Sequence, residues 1–149
     1  PCFLTDQEQY NYLVNLWKVG RVRALLGDLT AEKTMLDVAA FAKQVKTPLR
    51  ILYLSNAEHY FSFKARNYQP NIQGQFFDDR SVVLRTFPYK RVFYRYYEQA
   101  GNAFKAWVTS KKARHVAALL GYAKRTKDKN LFVLTKLPHE VRKRKAFKK

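Results

Sequence analysis

The feature that most constrains the fold is an alternation of short apolar segments with amphipathic ones between residues 5 and 87. The apolar segments at 22–26, 49–54 and 81–87 resemble strands that are buried on both faces of a sheet. Between them, apolar residues recur at the three- and four-residue spacing of a helix. This order predicts an α/β fold that is Rossmann-like, with a short, mostly parallel sheet flanked by helices.

Two helices are predicted by their end signals and by their apolar stripes. Thr5 and Thr30 are the expected N-cap residues, and Gly20 is the expected end of the first helix. The stripes expected to face the core are Tyr10, Leu13, Val14 and Trp17 in the first helix and Met35, Val38, Ala39 and Ala42 in the second.

The pattern is weaker after Pro88. Residues 92–100 suit either a strand or an aromatic helix, 111–125 predict a helix, and 130–138 predict a last strand. A chain of 149 residues suits one core. We therefore expect a single α/β domain over residues 1–138 and a basic, flexible tail over 139–149, which we describe as a basic C-terminal extension.

Polar side chains cluster where the predicted strands end, which is where open α/β sheets bind ligands. The candidate pocket residues are Asp28, Ser55, Asn56, Glu58 and Arg85. Ser55 and Glu58 also match a capping box, in which the two side chains close the start of a helix. The pattern therefore predicts a helix start first and a ligand site second.

Catalytic and cofactor motifs are missing from the sequence. It has no G-x-S-x-G, H-E-x-x-H, P-loop or C-x-x-C pattern, and its five glycines are isolated. We therefore assign no catalytic residue and expect neither a metal nor a cofactor. A single cysteine and the lack of a long apolar stretch favour a cytoplasmic protein without a membrane span.

Eleven residues form the most distinctive motifs between positions 8 and 87: Gly27, Asp28, Tyr53, Ser55, Asn56, Glu58, Tyr60, Asp79, Arg80, Ser81 and Arg85. On these residues the segment 8–87 resembles a family of uncharacterised bacterial proteins. Longer members of that family look like Rossmann-like methyltransferases, and this chain resembles their distal half. The resemblance implies a small-molecule site at the strand ends, with S-adenosylmethionine as the alternative cofactor.

Charge is the strongest indication of a partner. The chain carries 29 Lys and Arg against 11 Asp and Glu, a net charge of +18. Residues 101–149 hold 15 of those cations and only Asp128 and Glu140 as acids. Such a surplus favours a polyanion, nucleic acid above all, or an acidic protein partner. The cations expected to bind it are Lys112, Arg114, Lys124, Arg125, Arg142, Lys143, Arg144 and Lys145.

Aromatic residues are interleaved with cations between residues 89 and 114. Exposed rings there could stack on unpaired bases, whereas buried rings would simply fill the core. The rings in question are Tyr89, Phe93, Tyr94, Tyr96, Tyr97, Phe104 and Trp107. The function predicted from the sequence is polyanion binding without catalysis, and the alternative is a methyltransferase-like activity.

Overall fold

The computed structural model describes residues 3–89 and 93–142. Its helices are α1 (Gln7–Lys18), α2 (Thr34–Gln44), α3 (Tyr68–Gly74), α4 (Gly101–Thr109) and α5 (Val116–Leu120), with short 3-10 helices at Ala57–Tyr60 and Pro138–Glu140. Its strands are β1 (Ile51–Ser55), β2 (Val82–Tyr89), β3 (Phe93–Ala100), β4 (Lys124–Arg125) and β5 (Leu131–Leu134).

The strands form a five-stranded sheet in the order β1-β2-β3-β5-β4. The pairs β1–β2 and β3–β5 are parallel, whereas β2–β3 and β4–β5 are antiparallel. The predicted α/β class is confirmed, but the sheet is mixed where a mostly parallel one was expected. The reason is the length of the connection between β2 and β3, because three residues are too few for a parallel crossover.

The two faces of the sheet differ in burial. One face contributes Leu54, Val83, Tyr97 and Leu134 to the buried core, which it shares with residues of α2, α3, α4 and α5. Because side chains alternate along a strand, their neighbours point to the other side. On that side Ile51, Tyr53, Tyr94 and Tyr96 are all more than half exposed. We call this side, which carries those four residues, the open face.

The N-terminal segment departs most from expectation. The N-cap of α1 is Asp6, whose carboxylate accepts the Gln9 N–H at 2.9 Å, and not Thr5. None of the α1 residues is buried. Of the apolar stripe predicted to face the core, Tyr10, Leu13 and Trp17 are exposed and Val14 is half-buried. Residues 22–26 are not a strand, and Leu26 is fully exposed. A strand needs a neighbour to bond with, and this segment has no partner among the described strands.

The other predicted elements are partly confirmed. Helix α2 buries Met35, Ala39 and Ala42 as expected, but its N-cap is Lys33 and Thr30 lies in the turn before it. Residues 93–100 are a strand, which decides between the strand and the aromatic helix. The helix expected over 111–125 is limited to α5, and α4 was not predicted.

Candidate nucleic-acid interface

The five predicted pocket residues lie in three different environments, and Asp28 occupies the first alone. Its carboxylate accepts hydrogen bonds from the Thr30 N–H at 2.7 Å and the Thr30 hydroxyl at 2.9 Å, and it pairs with Arg66 at 3.4 Å. These interactions, the backbone bond above all, lower the pKa of Asp28. The geometry is that of an ordinary Asx turn, in which the aspartate fixes the chain two residues ahead.

Glu58 and Arg85 form an ion pair inside the core, with side chains only 2% and 1% exposed. The Tyr68 hydroxyl donates to the second Glu58 oxygen at 2.5 Å, and Arg85 Nη1 donates to Gln99 Oε1 at 3.3 Å. The guanidinium carbon lies 4.2 Å from the centre of the Phe104 ring. We call Glu58, Tyr68, Arg85 and Gln99 the buried network.

The buried network explains the Ser-Asn-Ala-Glu motif differently from a capping box. The N-cap of the 3-10 helix is Asn56, and no side chain caps it, because the Glu58 carboxylate is turned inward to Arg85. Burial, and then the negative charge of Glu58, hold the pKa of Tyr68 well above its ordinary value. A neutral tyrosine therefore donates to a charged carboxylate, a bond stronger than one between neutral groups.

Ser55 and Asn56 belong to a third environment, a cleft at the end of β1. Six residues line this cleft of about 270 Å³: Tyr53, Ser55, Asn56, Thr86, Tyr94 and Tyr96. We call it the tyrosine cleft. The pairing of β1 with β2 is irregular between Tyr53 and Ser55, and Ser55 has a φ of 50°. That left-handed conformation is uncommon for a residue with a side chain, and the Ser55 hydroxyl lies 3.2 Å from that of Thr86.

A basic hairpin lies beside the tyrosine cleft. Residues 124–130, which we call the hairpin patch, carry the exposed cations Lys124, Arg125, Lys127 and Lys129 against the single carboxylate of Asp128. The turn is fixed by bonds from the Arg125 guanidinium to the Lys129 carbonyl and from the Asn130 N–H to Asp128, both 2.9 Å long. The Asn130 carbonyl in turn accepts the Tyr96 N–H at 2.8 Å, which joins the patch to β3.

Of the other predicted cations, Lys112 and Arg114 lie in the connection between α4 and α5. The Lys112 ammonium donates to the carbonyl of Val141, which is the residue before Arg142. The Arg114 carbonyl accepts the Phe63 N–H at 2.9 Å, and Arg114 lines the same surface crevice as Lys64 and Lys111. We call Lys64, Lys111, Lys112, Arg114 and Arg142 the helix patch. Lys143, Arg144 and Lys145 lie outside the described residues.

The aromatic segment divides between core and surface. Tyr97, Phe104 and Trp107 are buried, as the core alternative predicted. Phe93, Tyr94 and Tyr96 are more than half exposed, and Tyr89 is 39% exposed. The Arg95 guanidinium lies 3.4 Å from the centre of the Tyr89 ring and 5.0 Å from that of Phe132, an arrangement in which cation and rings attract.

Residues 1–136 match a family model described as Domain of unknown function (DUF7790). The chain belongs to this family. The match confirms that the relatives form an uncharacterised family, while their likeness to methyltransferases and their bacterial origin stay predictions. No curated protein matches the chain. Among its described helices, none has the length and apolar character needed to cross a membrane.

Sequence reasoning missed several residues of this interface. Tyr53 and Thr86 are not among the predicted pocket residues, and Lys127 and Lys129 are not among the predicted cations. The available signal was alternation, because Tyr94 and Tyr96 are two positions apart and must share a face if 92–100 is a strand. The pairing of Thr86 with Tyr96, which completes the cleft, depends on a register that only the structure gives.

Proposed function

We propose that this domain binds nucleic acid, and that it does so as a polyanion-binding module without a catalytic step. The observation that carries the proposal is the position of the hairpin patch, four cations against one carboxylate, directly beside the exposed tyrosines of β3. Lys and Arg neutralise phosphates, and exposed rings stack on bases, so the two features together suit a nucleic acid better than a featureless polyanion.

The hairpin patch is suited to binding phosphate by its rigidity as well as by its charge. The turn is closed by its own hydrogen bonds, and the Arg125 Nε–H is already committed to the Lys129 carbonyl. Cations on such a frame lose less conformational freedom on binding than cations on a mobile chain. The helix patch is a second group of cations, and substitutions there separate its share of binding from that of the hairpin patch.

The test is binding of single- and double-stranded DNA and RNA across a salt series. Affinity is expected to fall linearly on logarithmic axes as salt rises, because bound phosphates release their counterions. Replacing Lys124 and Arg125 by Gln should lower the magnitude of the slope by about 0.7 for each phosphate of a single strand that is no longer neutralised. A lack of binding at about 50 mM salt would refute the proposal.

Two matched variants complete the design. Lys18→Gln/Lys43→Gln removes the same charge from the last turns of α1 and α2, outside the hairpin patch, and should change the slope less. Lys111→Gln/Arg114→Gln removes two cations of the helix patch. If all three double variants reduce binding equally, net charge and not the hairpin patch is responsible.

The methyltransferase-like alternative stays a prediction from the resemblance. Of its candidate residues, Asp28 lies in a turn with Thr30, Asn56 borders the tyrosine cleft, and Glu58 and Arg85 bond to each other in the core. Calorimetry with S-adenosylmethionine tests it directly. Heat of binding that disappears in both Asp28→Ala and Asn56→Ala would support that alternative.

A further inference from the structure

We infer that the tyrosine cleft holds an unpaired base, so that the ligand of this domain is single-stranded nucleic acid. The inference rests on the proposed function and assigns the cleft a role in it. Backbone phosphates would lie along the hairpin patch, while one base enters between the tyrosines of the open face.

The first argument is the spacing of the rings. Tyr94 and Tyr96 are alternate residues of β3 and are both more than half exposed. The rise of a strand puts their Cα atoms about 7 Å apart. Carbon atoms in contact are about 3.5–4 Å apart, so a flat ring stacked between two others separates them by about 7 Å. Two tyrosines whose Cα atoms are that far apart on one face of a strand can therefore hold one base between their rings.

The second argument is the polar rim of the same cleft. Ser55, Asn56 and Thr86 line it next to the rings, and each offers groups that can donate or accept a hydrogen bond. Across the parts of the chain that the structure describes, residues 3–89 and 93–142, the Asn56 carboxamide makes no side-chain bond of its own. An amide and two hydroxyls beside aromatic rings can bond the edge of a base whose face is stacked.

The third argument is continuity with positive charge. The pairing register places Lys124 level with Val133, Glu98, Leu84 and Tyr53 across the sheet. Side chains in one such row share a face, so Lys124 lies on the same side as the tyrosines. The Asn130 carbonyl bonds to the Tyr96 N–H, which brings the rest of the hairpin patch close to the rings.

A duplex does not fit this arrangement. Its bases are stacked on each other and paired, so that only their edges are accessible in the grooves. The cleft is lined by tyrosine rings, which can stack on a base only when that base has left its own stack. Charge complementarity alone would favour the duplex, so a preference for single strands separates base binding from simple phosphate binding.

The experiment compares four fluorescent or competing ligands at one salt concentration. These are oligouridylate and oligothymidylate of equal length, a fully paired duplex, and heparin, which is a polyanion without bases. The double variant Tyr94→Leu/Tyr96→Leu should bind both single strands roughly 5- to 150-fold more weakly for each base that no longer stacks on a ring. Its binding of duplex and heparin should stay unchanged.

Tyr10→Leu/Tyr12→Leu is the matched control, since it removes two exposed tyrosines from α1 and should leave all four affinities unchanged. Asn56→Ala is a second variant of the cleft that keeps every ring and should weaken only the single strands. A tighter complex with oligouridylate would assign the ligand as RNA, and one with oligothymidylate would assign it as DNA.

Two results would overturn the inference, and they are distinguishable. If the Tyr94→Leu/Tyr96→Leu variant binds single strands as well as the unmodified chain does, the cleft is not a base site and phosphate binding alone remains. If the unmodified chain binds none of the four ligands, the proposed function fails and the base site fails with it.

Discussion

The buried network and the tyrosine cleft both combine tyrosine with polar side chains, and they lie on opposite sides of one sheet. Arg85 and Thr86 are neighbours in β2, yet Arg85 points into the core and Thr86 lines the cleft. Asn56 and Glu58 are separated in the same way at the end of β1. The difference shows that neighbouring polar residues in a sequence can have separate roles. Those that face the core contribute to stability, and those on the other side of the sheet are available for binding.

The energetics of the two regions should differ accordingly. A buried charge is stable only while its partner compensates the loss of water, so the buried network is sensitive to the removal of any one member. Exposed tyrosines pack little against the fold, and their replacement usually changes stability little. We therefore expect changes in the buried network to alter unfolding and changes in the tyrosine cleft to alter binding.

The largest effect is expected for Arg85→Leu. The change leaves the Glu58 carboxylate buried without its cation, which should lower the free energy of unfolding by about 3–5 kcal/mol. Urea unfolding followed by circular dichroism measures it. Arg80→Leu, at an exposed arginine just before the same strand, is the control and should cost no more than about 0.5 kcal/mol.

A second variant of the pair separates charge from packing. Removing both charges in Glu58→Leu/Arg85→Leu should recover part of that stability, because no unpaired charge is then left in the core. If Arg85→Leu alone costs less than about 1 kcal/mol, Glu58 is not held as a buried charge and the distinction between the two regions disappears.

Tyr68→Phe should have the next largest effect. It removes the hydroxyl that donates to Glu58 at 2.5 Å while keeping the ring, and a bond to a charged group contributes about 1.5–3 kcal/mol. The matched change on the open face is Tyr53→Phe, at a half-exposed tyrosine, which should stay within about 0.5 kcal/mol. Equal losses of stability at the two positions would contradict the comparison.

Alkaline pH should weaken the buried network through the same residue. The folded pKa of Tyr68 lies well above its unfolded value, so the folded chain keeps this proton when the unfolded chain has released it. The contribution of Tyr68 to the free energy of unfolding is therefore fully present below a pH of about 10 and declines as the pH rises further. The unfolding free energy of the unmodified chain should fall more steeply in that range than that of Tyr68→Phe, since all other groups are common to both.

The parts of the fold that the sequence predicted are those in which local pattern and burial agree. Helix α2 buries the predicted Met35, Ala39 and Ala42, because its stripe meets the rest of the core. Helix α1 has an equally regular stripe, yet Trp17 is exposed, since periodicity says which residues share a face and not whether anything covers it. The strand predicted over residues 22–26 is absent for the corresponding reason, because strand propensity does not provide a partner strand.

The candidate site could be predicted less well, because it depends on register. The sequence pointed to Ser55 and Asn56 at a strand end and to Lys124 and Arg125 as cations. The structure places Ser55 and Asn56 in the cleft and Lys124 on the same side of the sheet. Arg125 is level with Phe132 and the buried Tyr97, so its side chain leaves the sheet on the other side. It could not indicate that Glu58 pairs with Arg85, since the two are 27 positions apart along the chain. Nor could it separate the exposed Tyr96 from the buried Tyr97, which are adjacent in an all-aromatic run.

The smallest expected effect is that of Tyr96→Phe, and it tests what the open face recognises. The change keeps the ring that would stack on a base and removes only an exposed hydroxyl. Affinity for oligouridylate should stay within about twofold of the unmodified chain, because stacking depends on the face of the ring. Fluorescence anisotropy with the two proteins side by side measures it, and urea unfolding checks that both are equally stable. A reduction as large as that of Tyr94→Leu/Tyr96→Leu would mean that the cleft binds through its hydroxyls, as the buried network does through the Tyr68 hydroxyl.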